Sequence, residues 1–137
     1  MTRINVIPVE DLTDQHLMAE YRELPMVPAA ARRSNPANYK PSTVYTLNKG
    51  HVLFFFNKKK FLMNRWLELI EELYERKFNI DPSLRIVKWK ELDRFPQTDW
   101  IPDSHAVSVN MQRITERINQ KPNWYRHRSQ PLTKISE

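Results

Sequence analysis

Ten prolines and a single glycine in 137 residues set the first limit on this chain. Two-residue β-hairpins draw on Gly, Asn-Gly or Asp-Gly for their left-handed positions. A chain this poor in glycine has few places to make them, which argues against an all-β fold. Five of the ten prolines fall in two irregular stretches. Residues 34–51 hold Pro36, Pro41 and the lone Gly50, and residues 79–102 hold Pro82, Pro96 and Pro102.

Around these stretches the apolar residues follow a helical period. Thr13 or Asp14 can cap a first helix, in which Leu17, Tyr21 and Leu24 form a core face. His16, Glu20 and Glu23 share a neighbouring face at i, i+4, i+7, with Arg22 pointing elsewhere. Pro25 removes a backbone donor, so this helix kinks or stops there, and Ala29–Arg33 can resume it. Val52–Phe56 fits a strand or a buried helical segment equally well. A second helix is expected from Lys58 to Phe78, with Leu62, Trp66, Leu69 and Leu73 inward and Glu68, Glu71, Glu72 and Glu75 outward. A third is expected from Asp103 to Gln120, capped by Asp103 or Ser104, with Val107, Met111, Ile114 and Ile118 along one side. One domain, residues 1–137, suits the length.

The net charge of +6 is unevenly spread. Residues 26–66 carry eight Lys/Arg and no acid, and residues 113–134 carry six against one Glu, while the remaining segments are net acidic. Such segregation favours a polyanion-binding face. No apolar run approaches the roughly 20 residues of a membrane span, and no signal-peptide pattern opens the chain. An intracellular location without membrane contact is expected.

Several chemistries lack their residues. One glycine cannot build a phosphate loop. The histidines His16, His51, His105 and His127 are dispersed without zinc spacing, cysteine is absent, and no GxSxG elbow occurs. No metal or cofactor is expected. The nucleophiles left are a lysine, with Lys49, Lys58, Lys59 and Lys60 in the basic region, or an N-terminal amine; both suit imine chemistry. Thr2 is small enough for Met1 to be removed ahead of it, exposing an amine with an ordinary pKa of about 7.7–8.0, lowered further by Arg3. Glu23, at the kinked helix end, is a candidate acid/base; an ordinary surface glutamate is the plainer reading. Arg113 and Arg117, four apart, share a face that can follow a phosphate backbone. In the tail, Trp124 and Tyr125 can stack on bases or pack on the core, and Arg126 and Arg128 can meet phosphates.

The segments TRIN (2–5), DQHLMAEYRELP (14–25), GHV-x-FF (50–55), FNI (78–80), IP (101–102) and P-x-WY (122–125) resemble the pyrimidine-dimer DNA glycosylase/AP lyase family of phage endonuclease V type. The resemblance runs through essentially the whole chain, with one short gap in the 34–42 loop. It implies a compact all-α domain of three helices, the first kinked at Pro25, acting as a monomer on double-stranded DNA that contains pyrimidine dimers or abasic sites. It implies excision of cyclobutane dimers without metal or cofactor. The amine of Thr2 would attack C1′ of the 5′ pyrimidine nucleotide and form an imine, and Glu23 would serve the glycosylase step and then β-elimination. Arg3 and Arg22 would hold phosphates, Gln15 and His16 would complete the DNA face, Arg113 and Arg117 would grip the backbone, and the duplex would bend with an adenine flipped out. Trp124 and Tyr125 would join the DNA contacts.

Two positions depart from the family pattern. Met26 stands where the family has an arginine lining the site, and Arg126-His127-Arg128 replaces further tyrosines. The alternative readings are a non-enzymatic helical DNA-binding protein on the same scaffold, or a glycosylase for another damaged base.

Overall fold

The computed structural model describes residues 3–132. The architecture is all-α, with three long helices: α1 (Asp14–Glu23), α4 (Lys59–Glu75) and α5 (Ser104–Gln120). Two shorter helices, α2 (Met26–Arg32) and α3 (His51–Phe54), and four 3-10 turns fill the connections. No helix among the described residues is long and apolar enough to cross a membrane.

Local chemistry sets the helix ends. Thr13 caps α1 by accepting from the His16 N–H, and Asp103 caps α5 by accepting from the Ala106 N–H. Pro25 has no N–H to continue the ladder, so α1 stops at Glu23 and α2 starts afresh at Met26. Arg94 closes the far end of α2, donating to the carbonyls of Ala31, Arg32 and Ser34. Gly50 adopts φ 93°, a left-handed turn that suits glycine, and leads directly into His51 and α3. The ambiguous apolar run is therefore a short helix rather than a strand.

The core lies between α1, α4 and the N-terminal segment. The ring of Tyr21 stacks on that of Trp66, 5.1 Å between centroids, and joins α1 to α4. Phe54, Phe55, Phe61 and Trp100 form a second aromatic cluster. Two of the expected faces need correction. Glu72 is buried, not outward, because its carboxylate accepts from Arg76 at 2.8 Å. Met111 is 45% exposed, and the inner face of α5 runs instead through Ala106, Asn110 and Ile114. A polar Asn at the centre of that face hides its true phase from a hydrophobicity reading.

The tail forms a hairpin that the glycine count does not foretell. Strand β1 (Arg126–His127) pairs antiparallel with β2 (Gln130–Pro131). The two turn residues, Arg128 and Ser129, both take positive φ, 50° and 68°. Left-handed backbone is unfavourable for residues with a Cβ, and Asp14 offsets this cost. Its carboxylate accepts the N–H of Arg128 at 3.0 Å and of Ser129 at 2.8 Å. It also pairs with Arg76 at 3.0 Å. Next to it, Gln15 donates to the Trp124 carbonyl and accepts from the Arg126 N–H. The first turn of α1 thus holds the C-terminal tail in place.

Candidate active site

The spacing of His16, Glu20 and Glu23 places all three on one side of α1, and they line a cavity of about 280 Å³. The N-terminal segment adds Arg3 and Asn5, α5 adds Arg113, Ile114 and Arg117, and the tail adds Tyr125. Three guanidinium groups therefore surround two carboxylates.

The two carboxylates differ in what they face. Glu20 is almost fully buried and held by Arg65 through two bonds, 2.6 and 2.9 Å, with Asn5 adding a third at 2.9 Å. Its charge is matched and its lone pairs are occupied, so it forms the floor of the cavity. Glu23 is not neutralised in this way. Among the described residues its Oε1 is buried without a hydrogen-bond partner, and so is Nε of Arg113. Buried polar atoms are rarely left unpaired, and a catalytic role is one of the reasons for which they are. Burial pushes the Glu23 carboxyl above the usual carboxylate range, while the Arg3 main-chain N–H and side chain act in the opposite direction.

Arg3 is disfavoured as a charge in its turn. Burial lowers the pKa of Arg3, and the neighbouring Arg113 and Arg117 lower it further. An anion entering the cavity would relieve this repulsion. His16 is pushed down to about 4, first by burial and then by Arg117 and Arg3, so it is neutral at pH 7. Its Nδ1 meets Thr13 Oγ1 at 2.7 Å, and its ring stacks on Tyr125 with centroids 4.7 Å apart.

A second hollow of about 650 Å³ lies beside the first, lined by Gln15, Arg22, Phe78, Trp124 and Arg126 among others. Ala19 borders both. The candidate residues therefore divide into two groups. Arg3, His16, Glu23, Arg113, Arg117 and Tyr125 meet in the cavity, whereas Gln15, Arg22 and Trp124 meet in the hollow. Tyr125 is buried, but Trp124 is 53% exposed, with the Lys121 ammonium 5.2 Å from its ring centroid. Thr2 lies outside the described residues.

Asn5 and Glu20 also line the cavity, although the sequence reading singled out neither for the site. One signal for Glu20 was available: Arg65 falls on the apolar face of α4, and a cation on a buried face requires a buried partner. Other cations from the basic segments are also committed. Lys58 is buried, Lys59 pairs with Asp93, and Arg128 pairs with Glu72 and Glu75.

A family model described as pyrimidine dimer DNA glycosylase matches residues 1–86, more than half of the chain. The chain belongs to the pyrimidine dimer DNA glycosylase family. The match covers Arg3, Gln15, His16, Arg22 and Glu23, and with them one wall of the cavity. The other wall of this glycosylase, formed by Arg113, Arg117 and Tyr125, lies beyond the matched residues and is brought there by the fold. DNA is the substrate that membership in this family implies, and three guanidinium groups lining one cavity suit its phosphates.

Proposed function

We propose that this cavity excises cyclobutane pyrimidine dimers by imine chemistry and then nicks the strand. The α-amine of Thr2, exposed by loss of Met1, attacks C1′ of the 5′ pyrimidine nucleotide and displaces its base. Loss of the amine proton and opening of the C1′–O4′ bond, with O4′ leaving as a hydroxyl, then give an imine, which makes the sugar's C2′ proton acidic. Glu23 stabilises the positive charge that develops at C1′ and then takes that proton. Loss of the 3′ phosphate follows by β-elimination. Arg3, Arg113 and Arg117 hold phosphates at the cavity. Arg22 and Trp124 contact DNA from the adjoining hollow, and His16, Gln15 and Tyr125 support that face.

The observation that carries this reading is the unpaired Oε1 of Glu23 inside a cationic cavity. A carboxyl shifted upward by burial is suited to acid and base roles near neutral pH. The Arg3 main-chain N–H bears on Glu23, and Thr2 is the residue that precedes Arg3 in the sequence. Every group in the scheme comes from one chain, which fits a monomer.

The test is reductive trapping. Borohydride added to the protein with dimer-containing duplex should yield a covalent adduct that peptide mapping places on the Thr2 nitrogen. An N-terminal extension that blocks Met1 removal should abolish the adduct. An adduct on a lysine, or undiminished trapping by the extended chain, would refute the amine assignment. A protein that binds the duplex without releasing bases would be the non-enzymatic alternative.

A further inference from the structure

The N-terminal segment leading into the cavity belongs to no helix or strand among the described residues, and side chains from distant parts of the chain take up several of its main-chain groups. The N–H groups of Val6 and Ile7 donate to Asn110 Oδ1 at 2.7 and 3.2 Å, and the Ile7 carbonyl accepts from Arg65 at 2.6 Å. Nearest the cavity, the Ile4 N–H donates to His51 Nε2 at 2.7 Å, and the Ile4 carbonyl accepts from the Tyr45 hydroxyl at 2.8 Å. Ile4, Tyr45 and His51 are all buried, and the two rings meet edge to face, 5.5 Å between centroids.

The hydrogen bonds define one state of His51. Its Nδ1 lies 2.7 Å from the Thr46 carbonyl, which can only accept, so Nδ1 carries the proton. Nε2 of the neutral ring then has its lone pair free for the Ile4 N–H; a cationic ring would have none to offer. Burial pushes His51 down to about 4, so the accepting form prevails at neutral pH. Ile4 stands between Arg3 and Asn5, both of which line the cavity. Its peptide groups are held immediately beside Arg3, whose main-chain N–H bears on Glu23.

We propose that His51 and Tyr45 are positioning residues for the reaction, gripping both main-chain groups of Ile4 and so fixing Arg3, the residue next to Thr2 in the sequence, against Glu23. This rests on the amine chemistry proposed above. Neither residue lines the cavity, and α5 carries two of its three arginines, so the pair acts on the chemical step far more than on DNA capture. A displacement of the attacking nitrogen by a fraction of an ångström slows attack, while Arg113 and Arg117 still hold phosphates.

Tyr45→Phe removes one hydroxyl and keeps the ring, so its packing survives. His51→Leu removes the acceptor, and His51→Gln offers an amide oxygen to the Ile4 N–H in its place. The full chain with its native N-terminus is mixed at saturating concentration with a duplex bearing one abasic site, and borohydride trapping is timed. Tyr45→Phe and His51→Leu should trap about tenfold more slowly or worse, with Kd for the duplex within about twofold of the parent, and His51→Gln should recover most of the rate. Tyr45→Phe decides the matter if His51→Leu does not fold. Parental trapping rates in Tyr45→Phe, or a slower rate matched by an equal loss of affinity, would overturn the proposal and leave the amine chemistry standing. If the parent chain itself forms no adduct, the amine chemistry falls and the positioning role falls with it.

Discussion

Glu20 and Glu23 lie three residues apart on one helix and line one cavity, yet their surroundings set them to different work. Arg65 and Asn5 saturate Glu20, whereas Oε1 of Glu23 has no partner among the described residues. Glu23→Gln removes no cation, so the variant should bind DNA within about twofold of the parent while losing base release by a factor of about 100 or more. Single-turnover release from a dimer-containing duplex measures this, and a variant that still releases bases would take Glu23 out of the mechanism. His51 supplies a stability test. Its pKa is about 4 when folded against an ordinary 6.5, so above pH 6.5 it is neutral in both states and costs nothing. As pH falls from 6.5 toward 4, the unfolded chain takes the proton and the folded one does not, removing about 1.4 kcal/mol per pH unit. Denaturant unfolding at pH 7, 6 and 5 should therefore show the advantage of the parent over His51→Gln shrinking with acid; a constant gap would contradict it. The spacing rule found the shared face of His16, Glu20 and Glu23. It could not tell the saturated carboxylate from the one with an open oxygen, because the partner that distinguishes them is 45 positions away.

At the scale of elements, helices driven by their own apolar faces were legible: α1, α4 and α5 sit within three residues of their expected ends. Elements held by single polar contacts were not. The tail hairpin has no Gly or Asn at its left-handed turn and owes its shape to Asp14, more than a hundred residues earlier. Asp14→Ala would strip two backbone N–H groups of their acceptor and leave Arg76 with one carboxylate fewer. A loss of about 3 kcal/mol is expected, together with faster hydrogen exchange at Arg128 and Ser129. Exchange unchanged at those two amides would show that the turn stands without Asp14. The N-terminal segment illustrates the same limit, since its partners His51, Tyr45, Arg65 and Asn110 follow no periodicity.

Over the whole molecule, charge counted along the sequence overstates the charge available to DNA. Arg65, Arg76 and Arg128 are bound into ion pairs, and Lys58 is buried against the Phe54 ring. The salt dependence of binding should follow the cavity cations instead. Replacing Arg113 or Arg117 by Ala should each flatten the slope of log K against log salt by about 0.9. Lys59→Ala, which breaks a pair with Asp93, should leave that slope as it was. Equal effects from all three would mean a diffuse field and not a defined face.

The cavity also has an order of assembly built into it. Arg3 and Glu23 are made early in synthesis, but the wall opposite them comes from Arg113, Arg117 and Tyr125. A growing chain emerges N-terminus first, so an unfinished copy carries Arg3 and Glu23 without the two arginines of α5. Such a chain lacks one whole wall of the cavity, which is complete only once α5 and Tyr125 have been made.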